Sequence, residues 1–125
     1  MLPGYRSTWT LAYLTIASFA ILYVLLAVNL IQSGSVDVSF SDLSTHAGVH
    51  KLLSDPQATL LAWVHYVAFD LFVGTWEAQD ANKRGIPRLL VLPCLLLTWM
   101  AGPTGLVLYG LVRFLFGKAL KNKPE

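Results

Sequence analysis

The sequence predicts an all-α, integral membrane four-helix bundle, and three observations carry that reading. Hydrophobic residues make up 55% of the 125 and charged residues only 13%. Soluble domains average roughly 25% charged, so a soluble fold this small has too little polar surface to cover its apolar side chains. Long apolar runs alternate with short polar connectors. The nine Lys and Arg residues gather in alternate connectors and at the two ends, the pattern left by the positive-inside bias.

The length allows one domain, here a single transmembrane domain over residues 1–125. A net charge of +2, with no basic stripe interleaved with aromatics, argues against a nucleic-acid partner. One cysteine, Cys94, excludes an intrachain disulfide framework, and its apolar setting reads as packing.

The first span covers residues 9–31, with Trp9 and Tyr13 as interfacial anchors at one end. About 23 residues rise roughly 34 Å, enough for a hydrocarbon core of about 30 Å. Arg6 before this run looks like the start of a secretory signal. The run is too long for a cleaved signal core and no A-x-A site follows, so it reads as an uncleaved helix.

Residues 33–55 form a polar connector that opens on Ser33-Gly34-Ser35 and carries Asp37, Asp42 and Asp55. Ser41 or Asp42 is placed to cap a short interfacial helix over residues 43–53. His46 and His50 lie one turn apart on it, a spacing that metals use, but two histidines without a neighbouring Glu do not make a site; the solvated-face reading is preferred and no metal is assigned. Asp55-Pro56 then starts the second span, residues 56–80, with an acidic cap and a proline in the first turn. Asn82-Lys83-Arg84-Gly85 follows as a turn, with Gly85 suited to ending a helix.

The stretch 86–117 reads either as one long kinked helix or as a hairpin turning at Ala101-Gly102-Pro103-Thr104-Gly105. Charge decides. Spans at 86–101 and 104–118 put eight of the nine basic residues on the cytoplasmic side with both termini, leaving Lys51 outside. The third span is then about 16 residues, or roughly 24 Å, so its turn is expected below the outer surface. Gly102-Pro103-Thr104-Gly105 is therefore either the wall of a pocket or a tight turn in a thin part of the bundle.

Trp63, Tyr66, Asp70, Gly74 and Glu77 recur at intervals of three and four, which puts them on one stripe of the second span. Ionisable groups in a membrane are costly unless paired, so Asp70 near the midplane and Glu77 are candidate functional residues. The competing reading is structural, an ion pair of Asp70 or Glu77 with Arg113 of the last span. His65 is about 140° around the helix from Asp70, and reads as a hydrogen-bonded core residue or as a ligand or acid–base group. Tyr66, Phe69, Phe72 and Trp76 form an aromatic sheath, which reads as lipid-facing or packing side chains more readily than as a pigment site. A lipid-accessible apolar groove is expected between the second span and the final hairpin, walled by Trp63, Tyr66, Trp99 and the turn at Pro103, with Asp70 as its deepest polar group. No nucleotide-binding, nucleophile-elbow or zinc-protease motif occurs.

From Leu53 to Arg113 a long ordered set of residues carries a resemblance. It comprises Asp55-Pro56, the run Trp63 to Trp76 (WVHYVAFDLFVGTW), Asp80, Arg84-Gly85-Ile86, Leu90 to Thr98 (LVLPCLLLT), and Gly102-Pro103-x-Gly105-Leu106. This pattern resembles the abscisic-acid-deficient-four-like family of small membrane proteins, whose plant members are associated with making neoxanthin from violaxanthin. The resemblance implies an epoxide-to-allene isomerase or a carotenoid-binding factor in xanthophyll metabolism. It also implies Asp70 and Glu77, with His65 as an outside candidate, as catalytic acid and base. Trp63, Tyr66, Gly74, Trp99 and Pro103 would touch a lipophilic pigment or isoprenoid, and no cofactor is required by such a step. The alternative is a non-catalytic subunit of a larger membrane complex, with membrane-protein partners and bound pigment or lipid; His65 could then be an axial ligand to a tetrapyrrole. A multi-pass bacterial inner-membrane location is expected, or a plastid membrane for a processed plant chain.

Overall fold

A computed structural model of the chain describes residues 4–37 and 39–121. These residues form five α-helices, α1 (Gly4–Ser33), α2 (His46–Leu53), α3 (Pro56–Lys83), α4 (Arg88–Ala101) and α5 (Pro103–Lys121), with no strand among them. Lys123, one of the basic residues assigned to the cytoplasmic end, lies outside the described residues.

The chain divides into two compact units. One is Tyr13–Ala68; the other joins the N-terminal turns of α1, up to Ala12, with the chain from Phe69 onward. In the first unit, α1 is apolar on every side. Leu14, Ile21, Leu25 and Ile31 are all exposed, while Leu30 is buried. Its hydroxyls turn back onto the helix: Ser18 Oγ donates to the Leu14 carbonyl at 2.9 Å, which satisfies a polar group without leaving the apolar cylinder. A 3-10 turn at Asp42–Ser44 precedes α2. The cap of α2 is Thr45, whose Oγ1 accepts from Gly48 N at 3.1 Å, rather than Ser41 or Asp42. Asp42 is used up in the preceding turn, where its carboxylate accepts from Ser39 N. Asp55 does cap α3: its Oδ1 accepts from Gln57 N and Ala58 N, both at 2.9 Å, and Pro56 is the first helical residue.

In the second unit, the end of α3 and the start of α4 are joined by a short, fully specified connection. Ile86 N donates to the Ala81 carbonyl and Gly85 N to the Asn82 carbonyl, the paired bonds of a Schellman cap. The cap places Gly85 at φ 66°, a conformation that favours glycine. Ile86 and Ala81 then meet in the buried cluster, with Val91, Cys94 and Tyr109. One proline, Pro93, lies inside α4. The chain reverses at Gly102 (φ 34°), so 86–117 is a hairpin of two helices and not one long helix.

Helices α1 and α3 are long and apolar enough to cross a membrane; α4 and α5 are shorter apolar helices. At 14 residues, α4 is roughly 21 Å long.

Candidate functional site

The stripe on α3 changes character along its length. At its start, Trp63 and Tyr66 are exposed, their rings 6.1 Å apart and tilted at 35°. Farther along, in the unit that contains the hairpin, the same spacing turns side chains onto α4. Asp70 Oδ1 comes within 3.2 Å of where a side chain would begin at Gly102. Gly74 faces Leu95, and a methyl group added there would meet the Leu95 side chain at 3.6 Å. Glu77 is completely buried.

Thr98, itself 1% exposed, supplies the contact of Glu77. Its hydroxyl lies 3.1 Å from Oε1 and 3.0 Å from Oε2, sharing one proton between the two oxygens. Thr98 is also a point of close packing between α4 and α5. A side chain at Gly105 would overlap Thr98 N and Oγ1, so a glycine is required at that crossing. The carboxyl group of Glu77 is held by a neutral hydroxyl, which can donate to a carboxylate or accept from a carboxylic acid. No cation among the described residues is within ion-pair distance of Glu77. The group is therefore equipped to give or take a proton.

One turn farther, Asp80 collects the charge. Its Oδ2 accepts from Tyr109 OH at 2.7 Å, from Arg113 Nε at 2.8 Å and from Arg84 Nε at 3.0 Å. Arg113 thus pairs with Asp80, and neither Asp70 nor Glu77 is its ion-pair partner. Trp76 completes the cluster, edge-on to the Tyr109 ring at 5.7 Å and 84°.

His65 is exposed, with its ring 5.5 Å from that of Tyr23 in α1. Trp99 is exposed on α4, and Pro103 is the exposed first residue of α5.

Thr98, Tyr109, Asp80 and Arg84 are not singled out as site candidates by the sequence. Thr98 is a single hydroxyl at the end of a leucine-rich run, and nothing local marks its partner. Tyr109 precedes Arg113 by four residues, which puts both on one face of α5, and Asp80 precedes Arg84 by the same interval. Those spacings were the available signal.

A family model described as ABA DEFICIENT 4-like matches residues 1–109 of the chain. No curated protein and no solved structure matches it. Asp70, Glu77, Asp80, Thr98 and Tyr109 fall inside the matched region, and Arg113 lies beyond it. The chain belongs to the ABA DEFICIENT 4-like family, whose members are carotenoid- and abscisic-acid-related membrane proteins.

Proposed function

We propose that this chain crosses the membrane four times as a helical bundle, with both termini cytoplasmic, and that it binds a carotenoid or related isoprenoid and isomerises an epoxide on it to an allene. The observation that carries the reading is the pair of carboxyl groups on one face of α3. Asp70 lies against the turn at Gly102 and Glu77 is sealed beneath Thr98. Seven residues separate them, which is two helical turns or roughly 10 Å along α3. Their surroundings differ, as an acid–base pair requires.

The proposed reaction is balanced without any redox partner. One carboxylic acid gives its proton to the epoxide oxygen, the adjacent C–O bond breaks, and positive charge spreads into the polyene. The second group, as carboxylate, removes a proton from the polyene carbon, and that electron pair completes the allene. Substrate and product have the same atoms, and one proton has passed from acid to base. Gly74, Trp99 and Pro103 are the proposed contacts to the apolar body of the ligand.

Four spans are supported by the eight-to-one distribution of basic residues and by the reversal at Gly102. The decisive experiment incubates the purified protein with an epoxy-xanthophyll and separates the products by chromatography. Conversion to an allenic isomer, lost in Glu77→Gln and in Asp70→Asn, is the expected outcome. Absence of both conversion and carotenoid absorption bands from protein made in a carotenoid-producing host would reject the reading. A Soret band in the purified protein would favour instead a pigment-binding subunit with His65 as ligand.

A further inference from the structure

We infer that the outer face of α3 and α5, around Arg84 and Arg113, is a binding site for the phosphate headgroup and upper acyl chain of an anionic phospholipid. A groove of about 560 Å³ opens there within the unit that carries the hairpin. Arg84 and Arg113 line its polar end, while Trp76 and Phe114 supply apolar walls. Gly110 and Gly117 lie two turns apart along the α5 side, and neither has any atom within 4 Å of where a side chain would start. The groove is therefore deep along α5 because two side chains are missing from it.

Charge identifies the occupant. Asp80 binds Arg84 and Arg113 chiefly through their Nε atoms, at 3.0 and 2.8 Å. Two guanidinium groups on one carboxylate leave one positive charge in excess. Tyr109 also donates to Asp80, so the carboxylate is saturated and its hold on each arginine is shared. The terminal guanidinium nitrogens have no ion-pair partner among the described residues other than Asp80. Fixed at Nε and half-exposed, each guanidinium is presented to a phosphate in the groove, and this is the fork geometry that suits phosphate oxygens. Arg84 directly follows the last residue of α3, which places the charge at headgroup depth and the apolar walls at acyl-chain depth once α3 spans a bilayer. The inference uses that membrane placement and none of the carotenoid chemistry.

The test uses the full chain in nanodiscs of phosphatidylcholine mixed with phosphatidylglycerol, with retained lipid read by native mass spectrometry. The protein is expected to keep phosphatidylglycerol in preference to phosphatidylcholine. Arg84→Gln and Arg113→Gln should each lower that retention about tenfold, the effect of losing one charge-assisted hydrogen bond. Lys83→Gln and Arg88→Gln remove the same charge near the same end but outside the groove, and should leave retention unchanged. Gly110→Leu fills the groove with the arginines intact, and should abolish retention even if an arginine variant fails to fold. Equal retention of the two lipids, or an equal loss from Lys83→Gln, would reduce the effect to diffuse attraction and overturn the site. Displacement of lipid by inorganic phosphate would assign the arginines to a free anion. A dimer that dissociates on Gly110→Leu, with lipid retention unchanged, would give the groove to a second copy of the chain. Failure of the epoxide assay would leave these readings untouched, because they measure lipid alone.

Discussion

The hydroxyl of Thr98 lies within 3.1 Å of both carboxyl oxygens of Glu77, and neither side chain reaches solvent. A buried carboxyl group with one neutral donor depends on that donor, since no other side chain among the described residues hydrogen-bonds to it.

Thr98→Val keeps the shape and removes the hydroxyl, so it is expected to destabilise the protein by about 1–3 kcal/mol, the cost of an unsatisfied buried polar group. Thr98→Ser should retain most of the stability. Glu77→Gln still accepts from Thr98 and should fold nearly as well while losing isomerisation. Thermal unfolding in detergent, paired with product analysis, checks all three. A Glu77→Gln protein that turns over normally would remove Glu77 from the chemistry.

Gly105→Ala puts a methyl group into the backbone nitrogen and hydroxyl of Thr98. Overpacking of this kind costs about 1–3 kcal/mol, so the melting temperature should fall clearly. Gly110→Ala, where nothing lies within 4 Å, is the control and should be neutral or slightly stabilising. Equal losses at the two positions would mean that the α4–α5 contact is not what Gly105 protects.

Arg113 should be energetically coupled to Asp80 and not to Asp70. In a double-mutant cycle, Asp80→Asn with Arg113→Gln is expected to be non-additive by about 0.5–3 kcal/mol, whereas Asp70→Asn with Arg113→Gln should add. Chemical denaturation in mixed micelles measures both cycles. Strong coupling to Asp70 would contradict the observed pairing.

Topology is open to labelling. In a Cys94→Ala background, cysteines placed at Ser35 and Lys123 should react from opposite sides of the membrane. Reaction of both from one side would rule out four spans.

Much of this was readable before any coordinates. Apolar runs and charge placement gave the long helices, Asp55-Pro56 gave the start of α3, and Gly85 its end, because each signal is local to the backbone it controls. The cap of α2, Thr45, lies a few residues beyond Ser41 and Asp42, the caps that the sequence suggests. Ser41, Asp42 and Thr45 are all competent caps, and only the intervening 3-10 turn decides among them. The carboxyl groups of α3 were legible as a periodic stripe, but their partners were not. Which of Asp70, Glu77 and Asp80 meets Arg113 depends on the axial offset between two helices, and a shift of one turn changes the answer. Thr98 acquires its role only through α3 lying across it, and a sequence motif has no record of that.

The length of α4 bears on where in a cell such a protein can be comfortable. A hydrophobic segment of roughly 21 Å falls well short of an average hydrocarbon thickness of about 30 Å, while α3 in the same chain can exceed it. In the proposed four-span bundle, lipids beside the Gly102 reversal would have to shorten or splay to avoid exposing their tails, so the leaflet there should be dimpled around the hairpin. Reconstituted into short-chain phosphatidylcholine, the protein should melt higher than in long-chain lipid, and insensitivity to chain length would count against a fixed, shallow hairpin. The mismatch costs only fractions of a kcal/mol per ångström, yet that is enough to sort a protein between thick and thin membranes. The tight reversal at Gly102 would then help to choose the compartment in which the protein accumulates.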